Sequence, residues 1–350
     1  MVKIIIMAYK EDIKEVANLN LPWDKLSGCN ILITGATGLV GSCLVDVLMT
    51  HPNKDYQVFA TGRNEKRARD RFYDFFYDPA FHFFKYDVIE PLNSNVDFHF
   101  IIHAASNASP FFFVSSPVEI IKSNVFGVCN LLDYGKKHNL KRFLFVSTGE
   151  VYGEGDGRVF SEEYSGYVNP INPRSCYPSS KRTAETLCVS YGSEYEIDTV
   201  IARLSHTYGP YFTESDNRVY AQFIRDVISG QNIIMKSDGR QYRSWCYVVD
   251  CVSALLYILL KGNNMEAYNV ADESSNISIK ELADMVAEIG NKDVVFDIPS
   301  VKEEAGFNMV TKSIFSVDKL KSLGWNIHGY MKDKMISTIA EIKRISIQTN

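Results

Sequence analysis

The chain has 350 residues, 46% of them hydrophobic and 23% charged, with a formal net charge of −5 at pH 7. That is enough for one large or two modest domains around a sizeable core. The mildly acidic balance gives no reason to expect nucleic acid as a partner, and the longest apolar run, around Ala254–Leu260, is far too short to span a bilayer. Seven cysteines include no Cys-x-x-Cys pair, and seven histidines form no ligand-spaced cluster. Reduced thiols in a cytoplasmic protein are therefore expected, rather than disulfides or a metal site. The short apolar run Ile4–Met7 does not read as a signal peptide.

Residues 1–28 read as an N-terminal extension, with amphipathic spacing over Asp12–Leu19 and a break at Pro22-Trp23. The organising stretch is Asn30–Ser42. An aliphatic strand ends in Gly35, Gly38 and Gly41, spaced Gly-x-x-Gly-x-x-Gly, and Leu44, Val45, Val47 and Leu48 then follow at helical spacing. Strand, glycine turn and helix N-terminus make an anion cradle, because glycines admit a pyrophosphate close to backbone N–H groups at the positive end of the helix dipole. In that context the turn is a dinucleotide site and assigns Gly35, Thr37, Gly38, Leu39, Val40 and Gly41 to the cofactor.

Tyr56–Gly62 reads as the second strand. NAD sites usually place an acidic residue at its end for the adenosine ribose. Here Gly62, Arg63 and Asn64 stand there, with Lys66 and Arg67 nearby. An Arg can pair with a 2′-phosphate, so NAD and NADP both remain open. Phe81–Tyr86 is the third strand; Asp87 and Val88 follow it, placed for the adenine, although Asp87 equally suits a turn cap. Val96–Ala105 is the fourth, and the small residues Ala104, Ala105 and Ser106 would let the chain pass close to a dinucleotide.

Pro117–His138 has helical spacing, Phe143–Ser147 is a strand, Tyr177 opens a helix through Tyr191, and Thr199–Leu204 is a sixth strand. This alternation predicts an α/β fold, a doubly wound parallel sheet of Rossmann type over residues 29–204. Beyond Pro210, helical patterns at Tyr220–Ser229, Val249–Leu260 and Ile279–Ile289 are separated by short strand-like pieces. They predict a smaller mixed α/β substrate domain over 205–248 and 266–350, with 249–265 returning to the first domain.

Tyr177 and Lys181 are four residues apart and share a helix face, shortly after the strand end Ser147-Thr148. A phenol with a pKa near ~10 is a poor base at neutral pH. A neighbouring ammonium and a nicotinamide cation would lower that pKa and let Tyr177 take a hydroxyl proton, with Thr148 bonded to the same oxygen.

These features together resemble an extended short-chain dehydrogenase/reductase of the NAD-dependent epimerase/dehydratase family. The resemblance is carried by Thr34-Gly35-Ala36-Thr37-Gly38, Asn124, Ser147-Thr148-Gly149-Glu150-Val151-Tyr152-Gly153, Tyr177 with Lys181, Tyr208-Gly209-Pro210, Arg243 and Leu323-Gly324-Trp325. Tyr167–Tyr177, Lys181–Thr186 and Asp216–Val219 resemble UDP-glucuronate decarboxylases in particular. The resemblance implies a nucleotide-sugar enzyme with catalytic Tyr177, Lys181, Thr148 and Glu150, working through transient oxidation at C4. It adds Asn124, Ser147, Tyr177 and Lys181 to the cofactor residues and sets Ser109, Glu150, Arg174, His206, Arg218 and Arg243 against the nucleotide sugar. It further implies a tightly bound, recycled cofactor and a homodimer.

Decarboxylation of a UDP-uronic acid is the leading expectation. A 4-epimerase, a 4,6-dehydratase and a dinucleotide-binding sensor without turnover are the alternatives. Glu150 suits proton exchange at C5. Gly149 stands where dehydratases carry an acid and decarboxylases a Ser. Phe113 stands where decarboxylases have a Tyr, and His206 where they have an Asn.

Overall fold

The computed structural model describes residues 8–298 and 312–348. The run Ile4–Met7, and residues 299–311 and 349–350 of the expected substrate domain, lie outside the described residues. The chain order is α1 (Ala8–Ala17), β1 (Asn30–Thr34), α2 (Leu39–Thr50), β2 (Gln57–Gly62), α3 (Glu65–Arg71), β3 (Phe81–Lys85), β4 (Phe100–His103), α4 (Pro110–Ser115), α5 (Pro117–Gly135), β5 (Arg142–Thr148), α6 (Cys176–Tyr195) and β6 (Thr199–Leu204). It continues with β7 (His206–Tyr208), α7 (Val219–Ile228), β8 (Ile233–Met235), β9 (Tyr242–Tyr247), α8 (Val248–Lys261), β10 (Glu266–Val270), β11 (Asp272–Ser278), α9 (Ile279–Gly290), β12 (Val294–Phe296), β13 (Lys312–Ser313), α10 (Asp318–Lys321) and α11 (Met331–Gln348).

The main sheet has seven parallel strands in the order β10-β6-β5-β4-β1-β2-β3. The middles of its central strands are apolar, Ile31, Leu32 and Ile33 being fully buried, as a parallel sheet covered by helices on both faces requires. The fourth strand is shorter than its apolar run: Asp97 accepts from His138 and Asn139, and its carbonyl from the Asn30 side chain, so the chain turns before Phe100. Residues 266–270, assigned from sequence to the substrate domain, form β10 at the edge of the main sheet, because α8 carries the chain back alongside β6.

A second sheet is built around β9, paired with β7 and β13 in parallel and with β11 antiparallel; β8 pairs with β12. Helix α1 buries Tyr9, Ile13, Val16 and Ala17 against α2, α8 and α11. The register sets Thr34 beside His103 and Thr148 beside Leu204. The loops after β1, β4, β5 and β6 therefore leave the same carboxyl edge, where the strand order reverses and ligands of doubly wound sheets bind.

Candidate active site

The loop after β1 forms the cradle. Gly35 has φ +66°, and a Cβ there would meet the Ala104 carbonyl and the Ala105 backbone at 2.7 Å. Gly41, in the first turn of α2, would set a Cβ 2.9 Å from Ala36 Cα. Only glycines allow this turn to close on both β4 and α2. Gly38 caps α2 without a side-chain hydrogen bond. That backbone cradle fits a pyrophosphate. It opens into a cleft of ≈ 1590 Å³ lined by Thr37, Leu39, Val40, Arg63, Asn64, Asp87, Val88, Ala104, Ala105 and Ser106. The cleft exceeds the ~300–1,000 Å³ of an ordinary small-molecule site, which leaves room for a dinucleotide and a second ligand together. Asp87 is first a turn cap: Oδ1 accepts from Ile89 N at 3.3 Å, and Oδ2 faces Arg63 at 4.0 Å.

Tyr177 and Lys181 lie on one face of the first turns of α6, and both line the cleft. Lys181 Nζ donates to the Val146 carbonyl at 2.8 Å and lies 5.9 Å from the Tyr177 ring centroid. Burial lowers the Lys181 pKa to about 7 against the opposing pull of Glu185. The Tyr177 phenol moves upward in the protein alone. Burial, then the nearby Glu150 charge, raise its pKa, while Thr148, which hydrogen-bonds it, and Arg218 and Arg174 pull it down. Desolvation dominates, so the phenol is held protonated in the protein alone. Phe113 is stacked on Tyr177 with centroids 4.4 Å apart and serves as a packing face for the phenol.

The strand end Thr148 caps the following 3₁₀ turn, its Oγ1 accepting from Glu150 N at 3.2 Å. Glu150 is held by a two-pronged pair with Arg174, at 2.9 and 3.0 Å. Between them, a Cβ on Gly149 would run into the Phe315 ring, with Cε2 at 2.6 Å and Cζ closer still. Phe315 is 2% exposed, wedged against Tyr152 and Phe160, and its N–H donates to Ser244 Oγ at 3.1 Å. Sequence reading missed Phe315, which lies far from Gly149 along the chain; the unexpected glycine was its only trace.

His206, Arg218 and Arg243 reach the same cleft from the second sheet and its loops. Arg218 is committed to Asp216 and also donates to Tyr220 Oη. Arg243, by contrast, is buried, and among the described residues its side chain donates only to its neighbouring carbonyl, Tyr242 O, at 2.9 Å. Asp216 and Asp238 are taken by Arg218 and Arg240. Burial lowers the Arg243 pKa to about 10, with Glu150 the opposing charge. Loss of solvation, then Arg243 and Arg218, lower His206 to about 3, so its imidazole is neutral. Ser109 lines the cleft and donates to Asn217 Oδ1 at 2.5 Å.

Two expected cofactor residues have other occupations. Ser147 lines the cleft, but its hydroxyl donates to Glu185 at 2.5 Å, and Glu185 is also paired with Arg203. Asn124 does not line the cleft: it is fully buried between α5 and α6, donates to Ser180 Oγ at 2.9 Å and so braces the helix that carries Tyr177.

A parallel sheet with a glycine cradle at its switch point, and a Tyr/Lys pair on the next wall, defines a dinucleotide-dependent enzyme of the short-chain dehydrogenase class. The chain belongs to the NAD dependent epimerase/dehydratase family, which it matches over residues 31–271. It is 38% identical over 268 residues to UDP-glucuronic acid decarboxylase 6 of Arabidopsis thaliana, covering 77% of this chain and 76% of that one. It is 36% identical over 261 residues to UDP-glucuronic acid decarboxylase 1 of Xenopus tropicalis, covering 74% and 60%. Its fold is similar to UDP-glucose 4-epimerase of Thermotoga maritima in complex with UDP-glucose, at a TM-score of 0.78 and 25% identity over 91% of this chain and 99% of that one. It also matches UDP-glucuronic acid 4-epimerase of Bacillus cereus in complex with UDP-glucuronic acid and NAD, at 0.76 and 22% identity over 90% and 99%.

Proposed function

We propose that the protein decarboxylates a UDP-uronic acid, UDP-glucuronate giving UDP-xylose, through transient oxidation at C4. The observation that carries this reading is a buried cation with no carboxylate in ion-pair contact among the described residues, Arg243, in the cleft that also holds Tyr177, Thr148 and the Arg174-clamped Glu150. When bound, a nicotinamide dinucleotide supplies the acceptor for the C4 hydride and later gives the hydride back, so it stays bound and there is no net redox change.

Tyr177 Oη takes the proton of the C4 hydroxyl, with Thr148 bonded to the same oxygen. Its raised pKa in the protein alone means that this step needs the positive charge of the loaded site. The C5 carboxylate is then β to a ketone; the C5–carboxylate bond breaks, CO₂ leaves, and the electron pair delocalises into the C4 carbonyl as an enolate. Glu150 handles the proton that C5 gains, and Tyr177 returns its proton to the C4 oxygen. Arg243 supplies the charge for the diphosphate or the sugar acid. This route needs no acid to protonate a leaving group at C6, and Phe315 occupies the space where a side chain at 149 would stand. Intact Tyr177, Lys181 and Thr148 favour an enzyme over a sensor that has lost turnover.

The test is incubation with UDP-glucuronate, following CO₂ and the product sugar by NMR. CO₂ and a UDP-pentose in equal amounts are expected; C4 inversion or a 4-keto product without CO₂ refutes decarboxylation. The homodimer is proposed to form through α5 and α6, which pack together and expose Val118, Ile121, Phe126 and Val189. A monomer mass by light scattering would refute it. The seven cysteines, all free, are in keeping with a cytoplasmic setting.

A further inference from the structure

We propose that the adenosine end of the cleft is built for a 2′-phosphate, so that the resident dinucleotide is NADP(H) rather than NAD(H). The inference rests on the dinucleotide reading of the cleft. A free ribose diol donates hydrogen bonds and is usually held by a carboxylate at the end of β2, which only accepts. No such carboxylate is present: the positions are Gly62, Arg63 and Asn64. A Cβ on Gly62 would already stand 3.3 Å from Thr37 Oγ1. The one good acceptor, Asn64 Oδ1, is occupied by Arg67 N at 3.0 Å, where it caps α3.

What the wall offers instead is two guanidinium groups. Arg63 and Arg67 both line the cleft beside the glycine turn. Arg63 has 66% of its side chain exposed, and its 4.0 Å separation from Asp87 lies beyond hydrogen-bond distance. Arg67 is half-buried, and its guanidinium makes no hydrogen bond or ion pair among the described residues. Burial lowers its pKa, and the opposing charge is Glu214, which does not come within ion-pair distance. The carboxylates facing the pair are therefore Asp87, tied to Ile89 N, and Glu214. A ribose diol can accept from these cations but leaves its own O–H donors without the carboxylate that usually takes them and offers no charge to match. Against a phosphate ester, with close to two negative charges and three acceptor oxygens, the cations make forked, charge-assisted contacts.

The experiment compares 2′-phospho-ADP-ribose with ADP-ribose by calorimetry on the full-length protein freed of carried dinucleotide. It also identifies by mass the dinucleotide released from the purified protein on denaturation. The phosphorylated ligand is expected to bind about 10- to 100-fold more tightly, the worth of one or two charge-assisted contacts. NADP is expected in the released fraction. The preference should shrink in Arg63→Ala and Arg67→Ala and vanish in the double variant. ADP-ribose binding as tightly or more tightly overturns this inference and leaves the dinucleotide cleft standing; binding of neither ligand overturns both.

Discussion

Gly149→Ser is expected to damage the protein through Phe315, not through the chemistry of a hydroxyl. The Cβ would stand 2.6 Å from Phe315 Cε2 and nearer to Cζ, against an ordinary carbon–carbon approach of about 3.5–4.0 Å. The ring cannot swing aside freely. It is packed edge-on to Tyr152 at 5.5 Å, its N–H is bonded to Ser244, and its neighbours Ile314 and Ser316 are bonded to the Phe160 backbone. Overpacking of this kind costs roughly 1–3 kcal/mol. Phe315→Ala alone should cost about 3–5 kcal/mol, through lost burial and the cavity left behind. In the double variant the serine enters vacated space, so its own penalty disappears. A double-mutant cycle by urea denaturation should therefore show a coupling of about 1–3 kcal/mol, with the pair more stable than the two penalties added. Additive penalties would refute the claim that Phe315 dictates glycine at 149.

Tyr177→Phe should lower turnover about 10²- to 10⁴-fold, the range of a general acid–base group, while dinucleotide binding by calorimetry stays within a few fold; wild-type turnover would sink the mechanism. Arg243→Met should weaken nucleotide-sugar binding and yet raise the melting temperature. Folding lowers the Arg243 pKa to about 10, a net burial penalty on the order of 3 kcal/mol at neutral pH that Glu150 only partly offsets. A less stable Met variant would mean that the charge is compensated after all. His103, 1% exposed and lowered to about 3 by burial and then Lys181, is neutral in the folded protein. The unfolded chain takes up that proton below about 6.5, so stability is full above that pH and is lost as pH falls from 6.5 toward 3. The loss between pH 7 and 5 is about 2 kcal/mol, and the half-buried His206 adds to it in the same direction. Denaturant midpoints across this range, compared with a His103→Gln variant that should flatten the profile, provide the check.

The parallel sheet and the glycine turn were legible in the sequence, because both are written in local patterns. A β-branched and aliphatic strand, glycines three apart and an apolar helix face need nothing distant to be understood. Tyr177 and Lys181 were legible for the same reason, one helix turn apart. Tertiary structure alone decided the rest, since each remaining feature joins segments remote in sequence. It showed that Asn124 braces Ser180, that Ser147 serves Glu185, and that β10 closes the main sheet. It also showed that burial, which residue spacing does not reveal, raises the pKa of the Tyr177 phenol in the protein alone. Arg243 and Phe315 acquired meaning in the same way. Whether a cation has a partner, and whether a glycine's missing side chain is already replaced by a ring, are facts of three-dimensional packing.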